Sequence, residues 1–134
     1  RCAFSLDMRA PNDAQRDALA RDVLHELEAI CQRRGVRFTL EETLRAAAAP
    51  SAPEWQSRWE HALQALGLPV FKLPSGAGHD AMKLHEIMPQ AMLFVRGENG
   101  GISHNPLEST TSDDMQLAVE AFAHVLHQLE GEAP

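Results

Sequence analysis

Two histidines lie in glycine-rich segments where the backbone must turn sharply. His79 follows the Ser-Gly-Ala-Gly segment 75–78, and His104 lies between Gly-Gly-Ile-Ser at 100–103 and Asn-Pro at 105–106. Such a turn presents an imidazole ring to a metal ion or a substrate, because glycine permits tight and left-handed backbone conformations. The pair predicts a hydrolytic metal site, of which we expect only part to be in this chain.

The surroundings of His104 favour a role as a metal ligand. Pro106 keeps Asn105 out of helical geometry, so an irregular loop is predicted here. The loop follows a predicted strand, and in open α/β sheets ligands bind beyond the carboxyl ends of strands. The prediction is a neutral imidazole that ligates a metal. The alternative is a loop histidine that only stabilises a turn.

His79 opens a predicted helix directly after Gly78. Because a helix N-terminus disfavours the imidazolium form, we expect a neutral ring that donates one hydrogen bond to a carbonyl or an oxyanion. The alternative is a capping histidine beside Asp80. A phosphate loop is a weaker interpretation, since the Lys-Ser/Thr pair of a P-loop is missing.

Arg9 ends the polar face of the first predicted strand. A guanidinium in this position could bind a carboxylate with two parallel hydrogen bonds. The alternative is an ordinary surface ion pair with Asp7.

The first 45 residues show a strand–helix–strand pattern. Residues 2–8 and 36–40 alternate between apolar and polar side chains, which predicts two half-buried strands. Between them, Asn12 and Gln15 form a capping box, and Gly35 is the expected C-cap of the helix. Two strands and one helix cannot bury both faces of a sheet, so another part of the protein must complete this unit.

The rest of the chain predicts α/β layers after a linker. Residues 46–53 are rich in alanine and proline, which indicates a hinge. Beyond it the patterns predict helices over 55–66, 79–88 and from Ser112 or Thr111 onward, with strands over 70–73 and 91–95, the latter buried on both faces. The predicted buried stripe of the last helix is Met115, Val119, Phe122, Leu126 and Leu129, while His124 and His127 are expected on its solvated side.

Composition excludes some classes of partner. The 134 residues are 44% hydrophobic and carry a net charge of −7, which argues against nucleic acid and anionic membranes. No apolar run is long enough to span a membrane. Cys2 and Cys31 are too few and too far apart for a disulfide framework, so we expect a reducing, cytoplasmic setting. Arg1 falls inside a predicted strand, and we expect the chain to be a fragment.

Three segments resemble the amidase branch of the dinuclear zinc exopeptidase superfamily. They are Leu-Asp-Met-Arg at 6–9, Pro-Ser-Gly-Ala-Gly-His-Asp-Ala at 74–81, and Gly-Ile-Ser-His-Asn-Pro at 101–106 with Glu108. The branch contains N-carbamoyl-L-amino acid hydrolases, β-ureidopropionases and allantoate amidohydrolases. Order, spacing and the terminal helix agree, so the resemblance covers essentially the whole chain. The second segment is specific to this branch.

The resemblance implies a two-domain fold of which this chain is the C-terminal part. Residues 1–45 would be the second half of a ferredoxin-like lid domain that forms a homodimer. Residues 46–53 would be the hinge, and residues 54–134 the C-terminal part of the α/β catalytic domain.

The resemblance also implies residue roles. His104 would be a metal ligand, and His79 a catalytic group near the scissile carbonyl. Gly78 would contribute a backbone contact to the substrate. Arg9 would hold the substrate carboxylate, in the partner subunit's site. The family's other metal ligands, its general-base Glu and a lid Asn have no counterpart here.

The implied reaction is metal-assisted hydrolysis of a ureido C–N bond, with two divalent ions (Zn, Mn, Co or Ni) in the intact enzyme. Carbamoyl amino acids, β-ureidopropionate and allantoate stay open as substrates. The alternatives are a metallopeptidase or aminoacylase of the same superfamily, and a non-catalytic dimerisation module. We expect the chain alone to be inactive, because one histidine cannot hold a catalytic zinc.

Overall fold

The computed structural model describes residues 1–131, and the secondary structure of this part is helical. Its elements are α1 (Asp13–Arg34), α2 (Pro53–Ala65), α3 (Asp80–Leu84), a single 3₁₀ turn (Asn99–Gly101) and α4 (Ser112–Glu130). The chain divides into two compact units, one formed by residues 1–50 with 73–83 and the other by residues 51–72 with the chain from 84 onward. Within residues 1–131, no helix combines the length and apolar character needed to cross a bilayer.

The first unit is built on α1, whose two ends are confirmed as predicted. The Asn12 side chain accepts a hydrogen bond from the Gln15 backbone N–H at 2.9 Å and donates to the Gln15 side chain at 2.9 Å. Gly35 takes the left-handed conformation with φ 61°, and its N–H caps the carbonyls of Cys31 and Gln32. Both caps satisfy backbone groups that a helix end leaves unpaired.

Residues 42–48 are attached to α1 by charged side chains. Arg45 contacts Glu42 and Asp17, each at 2.9 Å. Arg16 donates to the Ala46 carbonyl, and the Ala48 N–H donates to the Asp13 carboxylate at 2.9 Å. The beginning of the segment predicted as a hinge is therefore hydrogen-bonded to the first turns of α1.

The second unit is built on α2 packed against α4. Ala62 and Ala121 are fully buried and Val125 is 3% exposed, because small side chains let two helices approach closely. Beside them the rings of Trp59 and Phe122 lie 5.9 Å apart. In the part of the chain that the structure describes, the packing of helix against helix is concentrated on this pair.

The predicted buried stripe of α4 is wrong for four of its five residues, and the fifth, Leu129, is half-buried. α2 covers the face that carries Ala121 and Val125, and the neighbouring stripe of larger side chains stays exposed: Met115 49%, Val119 63%, Phe122 53% and Leu126 46%. The physical reason is that α4 is apolar on more than one face. The pattern marks both faces as apolar, but the contact with α2 selects the one with small residues.

None of the four predicted strands forms within residues 1–131. A strand needs hydrogen bonds from a neighbouring strand, and the segments 2–8, 36–40, 70–73 and 91–95 do not pair with one another. Phe4, Phe71 and Phe94 are exposed at 77%, 77% and 53%, so the run at 91–95 is not buried on both faces. The α/β prediction is thus not confirmed in this chain.

Candidate functional site

His104 lies in a loop that is closed by hydrogen bonds at its base. The Glu98 N–H donates to the Ser109 carbonyl at 2.9 Å, and the Thr110 hydroxyl donates to the Arg96 carbonyl at 2.6 Å. These bonds join residues 96 and 98, where the loop begins, to residues 109 and 110, where it ends just before α4. The loop therefore presents the His104 imidazole from a closed turn.

The backbone of His104 is left-handed, with φ 56°. This conformation is uncommon outside glycine, so it requires support from neighbouring groups. The His104 N–H donates to the Glu108 carboxylate at 2.8 Å. The side chain of Asn105 accepts from the Leu107 N–H at 3.0 Å. The predicted sharp turn at His104 is thus present, and the side chain is exposed.

His79 caps α3 through its ring. Its Nδ1 accepts a hydrogen bond from the Ala81 N–H at 3.2 Å. Because Nδ1 is the acceptor, the neutral ring carries its proton on Nε2. The capping interpretation and the donor interpretation are therefore compatible: one nitrogen holds the turn, and the other offers an N–H from an exposed side chain.

Gly78, directly before His79, leaves its backbone open to approach. A Cβ placed there would meet only the Met82 sulfur, at 3.9 Å. Among the described residues only the Met82 sulfur comes within 4 Å of that position, which leaves room for the predicted backbone contact with a substrate.

Arg9 makes both a local and a distant contact. Its Nε and Nη2 donate to the Asp7 carboxylate at 3.0 Å and 2.6 Å, so the predicted alternative of a surface pair is present. Its Nη1 donates to the Gly76 carbonyl at 2.5 Å. The hydrogen bond from Arg9 holds the pKa of the Asp7 carboxyl below its usual value. Both side chains are more than half exposed.

The first unit therefore brings Arg9 to the loop that carries Gly78 and His79. This contact lies within one chain, and the expected role of Arg9 in the partner subunit's site stays a prediction. His104 lies in the second unit.

A complete metal centre is not assembled by the described residues. Among residues 1–131 no group of three or more His, Cys, Asp or Glu side chains is placed to hold a metal ion. His104 fits the role of a single ligand, since it is an exposed imidazole on a closed loop. His61, His124 and His127 line an open groove between α2 and α4, but they too do not form such a group.

Two participants in this geometry had no role assigned from the sequence. The Gly76 carbonyl gave no signal, because a backbone acceptor is invisible in a residue pattern. Glu108 had a weak signal: it follows His104 by four positions across an Asn-Pro turn, close enough to bond back to the turn.

Several known proteins are similar to this chain over nearly its whole length. It is 36% identical over 129 residues to an N-carbamoyl-L-amino acid amidohydrolase from Geobacillus stearothermophilus, covering 96% of this chain and 31% of that protein. It is 31% identical to an allantoate amidohydrolase from Bacillus subtilis (strain 168), with the same coverage, and 34% identical to an allantoate deiminase from Arabidopsis thaliana, covering 92% and 25%. The chain thus spans about a third or less of the length of these relatives.

The family predicted from the three segments is confirmed by these relatives. A family model described as Peptidase family M20/M25/M40 matches residues 8–128, a range that includes Arg9, His79 and His104. Because that match covers most of its length, the chain belongs to peptidase family M20/M25/M40.

Proposed function

We propose that the protein carrying this chain is a metal-dependent amidohydrolase that cleaves the ureido C–N bond of an N-carbamoyl amino acid or of allantoate, releasing ammonia and carbon dioxide. The observation that carries the proposal is the hydrogen bond from Arg9 to the Gly76 carbonyl. It sets a carboxylate-binding group against the loop of His79. The names of the relatives point to substrates of this class.

Peptidases of the M20 family are metal-dependent. We propose two divalent ions in the intact enzyme, with His104 as one ligand and the other ligands outside this chain. The chemistry that such ions supply is Lewis-acid polarisation of the carbonyl that is attacked. The closed loop at residues 96–110 supports this role by limiting where the His104 imidazole can point.

His79 would stabilise the charge that develops on the substrate carbonyl oxygen. Its Nδ1 is engaged by the Ala81 N–H, so the Nε2–H is the donor that remains for a ligand. A donor held before the substrate arrives needs no reorganisation during the reaction, and this makes such contacts effective. The exposed backbone at Gly78 would lie along the substrate beside it.

Arg9 would hold the substrate carboxylate. A guanidinium has five N–H donors, of which Asp7 accepts from Nε and Nη2 and Gly76 accepts from Nη1. One N–H then remains on each terminal nitrogen, enough for a second carboxylate. Because Arg9 contacts Gly76 of its own chain, we propose that it serves the site of its own subunit.

We propose that the strands predicted at 2–8, 36–40, 70–73 and 91–95 form in the intact protein, within a lid domain and an α/β catalytic domain. The exposed large apolar side chains on these segments support this, because they would be covered there. Dimerisation through the lid belongs to the same proposal.

The test is ammonia release by the full-length protein from N-carbamoyl amino acids, β-ureidopropionate and allantoate, in parallel with dipeptides and N-acetyl amino acids. We expect turnover of at least one ureido compound, and its loss after chelation. Turnover confined to dipeptides or N-acetyl compounds would favour a peptidase or an aminoacylase instead. No turnover of any of them by the metal-loaded protein would favour a non-catalytic dimerisation module.

A further inference from the structure

The left-handed backbone of His104 is held by one side chain. The Glu108 carboxylate accepts the His104 N–H at 2.8 Å. A side-chain oxygen at this distance satisfies the backbone N–H, which would lose its partner if the turn relaxed. The φ angle of His104 is 56°, which residues other than glycine rarely adopt. This contact therefore opposes relaxation of the turn.

Glu108 is itself fixed by the turn that it closes. Its N–H donates to the Asn105 carbonyl at 2.9 Å, and the Asn105 side chain accepts from the Leu107 N–H at 3.0 Å. Pro106 has a fixed φ and no N–H to compete for either acceptor. A short, rigid turn therefore places the Glu108 carboxylate next to the N–H of His104, the residue before the turn.

From this geometry we infer that Glu108 is a positioning residue for His104. By holding the His104 N–H, it fixes the backbone torsion and so the direction in which the imidazole leaves the chain. The inference rests on the proposed role of His104 as a metal ligand. In this role Glu108 acts through His104 and does not touch the metal.

A purely electrostatic role predicts a different pattern of mutant effects. If Glu108 mattered only as a negative charge near a cation, Glu108→Asp would preserve its effect and Glu108→Gln would abolish it. If Glu108 acts by holding the His104 N–H, the reverse holds. Gln keeps an oxygen at the same reach, whereas Asp is one methylene too short to make the same bond.

The experiment measures zinc affinity of the full-length protein by competition with a chelator, together with thermal stability. We expect Glu108→Ala and Glu108→Asp to bind zinc about 10- to 100-fold more weakly, the range seen when groups that orient a ligand are removed. Glu108→Gln should stay within a few-fold of the parent. Equal affinity in the Asp variant and the parent, or a loss as large in Gln as in Ala, would overturn the inference.

Glu98→Ala is the matched control. The Glu98 carboxylate accepts from the Ser109 hydroxyl at 2.9 Å in the same loop, so its removal disturbs the loop but leaves the His104 N–H bonded. We expect no change in zinc affinity. A loss equal to that of Glu108→Ala would mean that the loop as a whole, rather than this bond, sets the affinity.

His104→Ala separates failure of this inference from failure of the proposed function. If His104→Ala keeps its zinc, His104 is not a ligand, and the proposed function loses its metal site here. If His104→Ala loses zinc while Glu108→Ala keeps it, only the positioning role is wrong.

Discussion

The Nη1 of Arg9 lies 2.5 Å from the carbonyl oxygen of Gly76, three positions before His79. This bond joins the beginning of the chain to the loop that carries the proposed oxyanion donor. Asp7 orients the guanidinium from the other side. The guanidinium of Arg9, which we propose binds the substrate carboxylate, therefore lies beside the turn where the substrate carbonyl would lie.

Arg9→Lys should fail to replace arginine. The lysine ammonium is a single centre and cannot reproduce the planar two-donor fork. We expect a large fall in kcat/KM for substrates with a free carboxylate and a small one for analogues whose carboxylate is amidated. Steady-state kinetics of the full-length protein on both substrate types checks this. Equal losses on the two types would make Arg9 a structural partner of Asp7.

Mixed oligomers test which subunit Arg9 serves. When the Arg9→Ala and His104→Ala variants are mixed, no single chain has both residues intact. Because Arg9 contacts Gly76 of its own chain, we expect no recovery of activity on mixing. Partial recovery would place Arg9 in the partner subunit's site.

Asp7 should titrate at lower pH than an ordinary aspartate, because Arg9 holds its pKa down. A carboxyl with a lowered pKa in the folded state contributes stability at neutral pH, and this contribution is lost as the pH falls through that pKa. The Asp7 carboxyl, followed by NMR, should shift its midpoint upward in Arg9→Gln. An unchanged midpoint would show that the ion pair does not persist in solution.

Thr111 should stabilise the start of α4. Its hydroxyl accepts from the Asp114 N–H at 3.0 Å and donates to the Asp114 carboxylate at 2.7 Å. Thr111→Ala should lower the free energy of unfolding by about 1 kcal/mol, the typical cost of a lost N-cap. Thr111→Ser keeps the hydroxyl and should retain most of the stability. Equal losses in both variants would attribute the effect to the threonine methyl group.

The helix ends could be predicted from the sequence because their signals are local. Asn12 and Gly35 bound α1 as expected, and Thr111 was one of two candidate caps for α4. The predicted strands do not form within residues 1–131, since a strand depends on a partner that is distant in sequence. The buried face of α4 was missed for a related reason: the choice between its faces depends on where α2 packs.

At the site, too, features set by neighbouring residues could be predicted, and contacts between residues far apart in the sequence could not. The left-handed turn at His104 follows from the glycines and the proline around it, and it is present. Gly76 and Gly78 before His79 do not take the left-handed conformation, and His79 instead caps α3 through its ring. The Arg9 contact with Gly76 could not be read from the sequence, because it joins a side chain to a distant backbone carbonyl.

The most direct test of the central claim is the metal content of two full-length variants, measured by elemental analysis beside the rate. His104→Ala should lose both metal and activity, because it removes a ligand. His79→Ala should keep the metal and lower kcat by about 10²- to 10³-fold, as for other lost oxyanion donors. Loss of metal from the His79 variant with retention in the His104 variant would contradict the account.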